Sequence, residues 1–276
     1  MIEEPEAHLH PQLQDTLFSY FKKMHRRRIQ VFITSHSPTI TAKTKLRGLS
    51  VLEKTNGGLT CTALACLPLG KTDLLKLQRF LDVTKCQLFF AKGVIVVEGI
   101  SEALLLPVFA KKMGRRYNLE RNGVEVVNIG GVAFRPFAKL YHSSDQNGRL
   151  HVRCAIVTDD DRAMKEGSGG KEISKRAKKA VELKGGNLAV NLAEVTFEYE
   201  LFLANEALVK EVYRKMHPKT TIADPAAFVK VISKNKDKAE FAQRLTEWLV
   251  KRDSAAFDGL VVPQYIQEAI RWVIDG

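Results

Sequence analysis

Hydrophobic and polar positions along this chain change their period twice. Between Gly93 and Leu192, short Val- and Ile-rich runs alternate with longer stretches of helical spacing. That alternation predicts a mostly parallel sheet covered on both faces. The predicted strands are Val94–Val97, Val124–Asn128, Val152–Thr158 and Leu188–Leu192, with helices over Ser101–Met113, Arg135–Tyr141 and Glu172–Leu183. After Glu194 the strand signal ends. The remainder predicts amphipathic helices over Phe197–Met216, Pro225–Ser233, Glu240–Arg252 and Pro263–Ile274. Upstream, a helix is expected over Pro11–Arg28, a strand over Ile29–Thr34, and a small β element around Leu49–Leu52 with a turn at Asn56-Gly57-Gly58. The helical spacing of Leu74, Leu75, Leu77, Phe80 and Leu81 predicts one connecting helix over Lys71–Leu88.

Composition fits a soluble chain of one to two domains: 276 residues, 45% apolar and 27% charged. No apolar stretch approaches the ~18–20 residues that cross a bilayer, and the opening Met1-Ile2-Glu3-Glu4-Pro5-Glu6 is acidic where a secretion signal is basic. The four cysteines, Cys61, Cys66, Cys86 and Cys154, form no CxxC pair and have no matching histidine spacing. Reduced thiols in a cytoplasmic protein are expected, with no membrane partner. The formal net charge of +12 favours an anionic partner, nucleic acid before membrane.

Candidate chemistry sits where two predicted strands end. The strand Val94–Val97 runs into Glu98-Gly99, and Glu102 follows one helical turn later, so both carboxylates can face the crevice beyond the strand. The third strand ends in Asp159-Asp160-Asp161, where period-two alternation sends Asp159 and Asp161 to one side and Asp160 to the other. If the two strands are neighbours, four carboxylates converge. Such a cluster cannot stay fully ionised without a cation, and an all-oxygen set suits Mg²⁺ or Mn²⁺. Each half alone reads as a helix cap or a solvated turn; their joint appearance about sixty residues apart carries the metal reading.

Strand-Glu-Gly-x-Ser-Glu, the Asn128-Ile129-Gly130-Gly131 turn and strand-Asp-Asp-Asp together resemble the Toprim fold of topoisomerases, primases and several nucleases. Upstream, Ile2-Glu3-Glu4-Pro5-Glu6-Ala7-His8-Leu9-His10-Pro11 resembles the Walker B and D-loop segment of ABC-type ATPases, and Thr34-Ser35-His36-Ser37-Pro38 their switch histidine. An ABC-type ATPase end joined to Toprim resembles the OLD (overcoming lysogenization defect) family of ATP-dependent nucleases.

The resemblance implies an α/β architecture in four parts: an ATPase remnant over 1–75, a connecting helix over 76–91, a Toprim core over 92–195, and a helical subdomain over 196–276. It implies that Glu98, Glu102, Asp159 and Asp161 hold metal. A further acidic motif, Thr196-Phe197-Glu198-Tyr199-Glu200-Leu201, offers Glu198 as an additional ligand, and Lys238, ahead of Ala239-Glu240-Phe241-Ala242, would stabilise transition-state charge. In a two-metal scheme, Glu98, Asp159 and Asp161 would serve one ion and Glu102 with Glu198 the other. The implied activity is divalent-metal-dependent hydrolysis of DNA phosphodiesters. The other readings are a non-catalytic Toprim nucleic-acid-binding or repair scaffold, and another Toprim enzyme, primase or topoisomerase.

Between Arg162 and Leu188 there are eight Lys/Arg against three Glu. This run starts at the Asp triplet, so Arg162, Lys165, Lys171, Lys175, Arg176, Lys178 and Lys179 are candidate phosphate-binding residues. Gly70-Lys71-Thr72 is not a P-loop, because the required upstream glycine is Ala65 and Pro68 interrupts the loop. Glu3, Glu4 and His36 therefore read as an ATPase remnant without a phosphate cradle, and this chain alone is not expected to use ATP. Any homo-oligomer is expected to form through the C-terminal helices or the ATPase half.

Overall fold

The computed structural model describes residues 1–276 except 27–28, 56, 83, 132, 162–172 and 252–254. Its strands are β1 (Ile2–Glu3), β2 (Ile33–Thr34), β3 (Ser50–Thr55), β4 (Gly58–Ala63), β5 (Gly93–Val97), β6 (Val124–Asn128), β7 (Arg153–Asp159) and β8 (Leu188–Ala193). The last four form one fully parallel sheet in the order β6-β5-β7-β8. Every residue of β5 is buried, as expected of a central parallel strand covered on both faces. The α/β class expected from the hydrophobic pattern is the class observed.

Alternation along β5 and β7 divides the core between the two faces. Ile95, Val97, Ala155 and Val157 face a cluster built from the Ile100–Met113 helix and the C-terminal helices, including Phe197, Phe202, Phe228, Phe241 and Ile270. Val94, Val96, Cys154 and Ile156 face the other way, onto Phe137, Leu140 and Tyr141 and onto Leu46, Leu64, Leu77 and Leu88 from the upstream segment. The β3–β4 hairpin and the Lys71–Phe80 helix thus share a core with the sheet.

The strand order also locates a crevice. From β5 the chain moves to β6 on one side, then crosses to β7 on the other side of β5. The C-terminal ends of β5 and β7 therefore flank the point where the winding direction reverses, the usual ligand position in open α/β sheets.

Several element boundaries differ from expectation. The connecting helix stops at Phe80, and Lys85–Phe89 forms a separate 3-10 turn, because the Leu81 N–H closes on Leu77 and the chain then turns at Asp82. The single helix expected over Phe197–Met216 is two, Phe197–Ala204 and Glu206–Met216. Asn205 breaks it: its Nδ2 donates to the Val261 carbonyl at 2.8 Å and its Oδ1 accepts the Val261 N–H at 2.7 Å. A buried amide satisfied by another segment outweighs one more turn of helix. A further strand pairing at the N-terminal end, Ile2–Glu3 in parallel with Ile33–Thr34, has no counterpart among the predicted strands. The Ile29–Thr34 strand is correspondingly reduced to Ile33–Thr34.

Candidate functional site

Parallel register sets the site. Val97 pairs with Val157, so the next residues on each strand, Glu98 and Thr158, meet at the crevice. Glu98 Oε1 accepts the Thr158 hydroxyl and the Asp159 backbone N–H, the latter at 3.2 Å. The backbone of Glu98 is also tied: Ile129 N–H donates to the Val97 carbonyl and Gly131 N–H to the Glu98 carbonyl at 2.9 Å. That return requires positive φ at Gly130 (64°) and Gly131 (148°), which explains the paired glycines after β6.

Glu102 stands in the first turn of the Ile100–Met113 helix and is buried. Gly99 clears space for it, since a Cβ there would lie 3.1 Å from Glu102 Oε2. Burial first, then the charges of Glu198 and Glu98, push the Glu102 carboxyl up to about 7.

Asp159 ends β7, and its Oδ1 accepts the Phe197 N–H at 2.9 Å, at the start of the helix that bears Glu198. A carboxylate at a helix N-terminus is favourably placed. Burial outweighs this: with the charges of Glu102, Glu198, Glu98 and Asp161 added, the Asp159 carboxyl is pushed up to about 8. Asp160 points away from the cluster, as alternation predicted, and is fully buried, accepting the Ser174 N–H at 2.8 Å. Alternation does not extend to Asp161. β7 stops at Asp159 and Asp161 adopts φ 52°, so the turn, not the strand, brings its exposed carboxylate toward Glu98.

Glu198 is buried, and Lys238 Nζ reaches its Oε2 at 3.0 Å. Lys238 begins the Lys238–Lys251 helix, two residues after the left-handed Lys236 that ends the Pro225–Asn235 helix. Burial opposes its charge, but Glu198, Asp159 and Glu102 outweigh burial and raise the ammonium above the ordinary lysine value. The sequence-predicted Glu98, Glu102, Asp159, Asp161, Glu198 and Lys238 thus share one crevice.

Two contributors, Thr158 and Tyr265, escaped sequence reasoning, and Arg176 was named there with another role. Thr158 anchors Glu98, and only the strand register reveals it. Arg176, expected on a phosphate-binding surface, instead bridges the acids: one guanidinium nitrogen contacts Glu98 and the other Asp161. Tyr265 has a buried hydroxyl with no hydrogen-bond partner among the described residues. Burial first, then Asp159, Glu102, Glu200 and Glu198, push its phenol far above the ordinary tyrosine value. No local motif marks it.

Lys175 and Lys179 are exposed on the Lys175–Val181 helix beside Arg176, and Lys178 lies on the same exposed stretch. Arg162, Lys165 and Lys171 lie outside the described residues. At the N-terminal end, His36 Nε2 lies 3.1 Å from Glu4, while Glu3 is exposed on β1. Glu6 accepts both the Ser35 hydroxyl and the His36 N–H.

By donor type the crevice suits a hard divalent cation. Among the described residues, Lys238 pairs with Glu198 and Arg176 with Glu98 and Asp161, while burial, with neighbouring carboxylates added, drives Glu102 and Asp159 toward protonation. Among the described residues no three acid, histidine or cysteine side chains are drawn together around a common ion position. Arg176 is what lies between Glu98 and Asp161.

The parallel sheet thus carries a Glu-x3-Glu pair and an Asp triplet at its switch point. Residues 89–161 match the family model "Overcoming lysogenization defect protein-like, TOPRIM domain", and residues 1–42 match "AAA domain, putative AbiEii toxin, Type IV TA system". Together the two matches span an AAA-type segment followed by an OLD-like Toprim segment. It is similar to the C-terminal region of the Burkholderia pseudomallei OLD protein, at 23% identity and TM-score 0.48 over 67% of this chain and 98% of that one. It is also similar to the C-terminal region of the Xanthomonas campestris pv. campestris OLD protein, at 26% identity and TM-score 0.47 over 68% and 95%. No curated protein matches the chain. Among the described residues no helix is long and apolar enough to cross a membrane.

Proposed function

We propose that this chain is a divalent-metal-dependent nuclease that hydrolyses DNA phosphodiesters without ATP. The observation that carries the reading is the placement of Glu102 and Asp159 at the β5/β7 switch point, where burial, with the charges of Glu198 and Glu98 added, raises their carboxyls to about 7 and about 8. Bound there, a divalent cation would favour the ionised forms of Glu102 and Asp159. Glu98, Asp159 and Asp161 are assigned to one Mg²⁺ or Mn²⁺ ion, and Glu102 with Glu198 to the other. When bound, such a pair activates water for attack on the phosphorus and neutralises the leaving oxygen.

The remaining roles fall to the chain's own groups. Lys238, held charged against Glu198, places a positive charge beside the acids, where negative charge grows on a phosphate in its transition state. Thr158 and the Asp159 N–H fix the Glu98 carboxylate, so that it does not have to be ordered when substrate arrives. Lys175, Lys178 and Lys179, with Arg162, Lys165 and Lys171 of the same basic run, bind the DNA backbone. In domain terms the core over 92–195 supplies four acids, and the helical subdomain over 196–276 supplies Glu198 and Lys238. Residues 1–75 carry Glu3, Glu4 and His36 as a nucleotide-site remnant.

A second reading is favoured by one observation, the guanidinium between Glu98 and Asp161, which neutralises two acids without metal. It makes the domain a non-catalytic nucleic-acid binder. Incubating supercoiled plasmid with the chain in Mg²⁺, Mn²⁺ or EDTA, without ATP, separates the two. Metal-dependent nicking or linearisation supports the nuclease; EDTA-insensitive DNA binding with no cleavage supports the binder.

A further inference from the structure

We propose that Arg176 is the resident counter-cation of this site: its guanidinium holds the place between Glu98 and Asp161 that a divalent ion takes, and ion entry turns it out toward a DNA phosphate. The inference rests on the metal-dependent reading above.

The root of Arg176 is fixed by its helix, while its tip is part-exposed and held only by side-chain contacts. It follows Ser174, whose hydroxyl caps the Lys175–Val181 helix by accepting the Ala177 N–H at 3.1 Å. The Ser174 N–H itself donates to the buried Asp160. From that anchored start the side chain reaches across the crevice, Nη2 to Glu98 Oε1 and Nη1 to Asp161 Oδ2, with Nη2 also 3.4 Å from the Thr158 hydroxyl. The fork therefore spans two carboxylates instead of gripping one, and lies between Glu98 and Asp161, two of the three acids assigned to one ion.

Glu98 Oε1 cannot take a further partner as it stands. It already accepts the Thr158 hydroxyl, the Asp159 N–H and Arg176, whereas a carboxylate oxygen offers two lone pairs. The Thr158 and Asp159 backbone is held by pairing with Leu192 and Ala193 of β8. Arg176, its side chain 35% exposed and paired with an Asp161 that is 49% exposed, is the donor able to leave. Once out, a guanidinium beside exposed Lys175 and Lys179 is suited to bidentate contact with a phosphate.

Two consequences follow. Ion affinity is reduced by the fraction of molecules in which Arg176 occupies the place. An anion that captures the released guanidinium strengthens ion binding, and the ion strengthens anion binding by the same factor.

The test is Mn²⁺ titration by calorimetry, with free Mn²⁺ followed by electron paramagnetic resonance, on the full chain and on Arg176→Ala and Arg176→Lys, each with and without a short DNA duplex. Circular dichroism melts confirm folding. Arg176→Ala is expected to bind Mn²⁺ about tenfold more tightly. Arg176→Lys, which keeps the charge but cannot span both acids, is expected to fall between the two. The duplex should tighten Mn²⁺ binding several-fold in the unmodified chain and not in Arg176→Ala. Unchanged or weaker binding in Arg176→Ala overturns the inference, as does a lysine variant at the unmodified affinity, which reduces Arg176 to a nearby charge. No Mn²⁺ binding by any folded variant overturns the metal reading together with it.

Discussion

Asp159 accepts the backbone N–H of Phe197 at 2.9 Å, and this contact ties the end of β7 to the helix that delivers Glu198. One carboxylate thus serves as a candidate metal ligand and as the joint between the sheet and the helical segment. Asp159→Asn keeps an acceptor for Phe197 while removing charge from a crowded cluster. It is expected to raise the melting temperature of the metal-free protein by about 2–4 °C and to lower cleavage at least about 100-fold. Melts in EDTA alongside a nuclease assay check both.

Lys238 and Glu198 form a pair of unequal burial, 42% against 5% side-chain exposure. Lys238→Met leaves the Glu198 carboxylate buried without its partner, and a loss of about 1–3 kcal/mol in urea unfolding is expected. Adding Glu198→Gln should recover most of that stability, since removing both charges spares the desolvation cost. Cleavage should stay lost in both variants. A single variant as stable as the parent would contradict the pairing.

Stability should depend on pH in an unusual direction. The Glu102 and Asp159 carboxyls are raised from 4.5 and 3.8 to about 7 and about 8, so between pH ~4 and ~8 the folded state binds more protons than the unfolded one. Their contribution to stability is present at low pH and is lost as pH rises through those values. In EDTA the melting temperature should fall from pH 5 to pH 8, and Mn²⁺ should restore it most at pH 8. A melting temperature that rises over that range in EDTA would contradict the crowding.

The Asn205 amide holds the break between two helices by bonding Val261 from both of its ends. Asn205→Leu strands the Val261 N–H and carbonyl and is expected to cost about 1–3 kcal/mol. Because Glu198 lies in the preceding helix, Mn²⁺ affinity should also weaken, measurable by calorimetry.

How much of this was legible in the sequence divides by the range of the interaction. The β5 and β7 runs and the acids at their ends were readable because a central parallel strand is apolar throughout, so a charge at its end marks the crevice. Alternation sent Asp160 to the side opposite Asp159, and its buried side chain accepts the Ser174 N–H. Asp161 lies on the expected side, but through a left-handed turn beyond the strand end that alternation does not describe. Asn205 reads as an ordinary helical residue until Val261, 56 residues away, meets it. Arg176 belonged to a basic run whose charge pattern pointed to solvent and phosphate; only the neighbouring ends of β5 and β7 show two acids within its reach. Thr158 and Tyr265 are positioned by register and packing, for which single-residue patterns have no signature.

The central claim is that the acids at the β5/β7 crevice cleave DNA with a divalent ion. It is tested most directly by incubating supercoiled plasmid with the purified chain and with Asp159→Ala in Mn²⁺ and in EDTA, after thermal melts show both proteins folded. Nicking or linearisation by the unmodified chain in Mn²⁺, abolished by EDTA and by Asp159→Ala, is the predicted result. Cleavage that survives EDTA or Asp159→Ala, or a folded chain that binds the plasmid and never cuts it, would contradict the account.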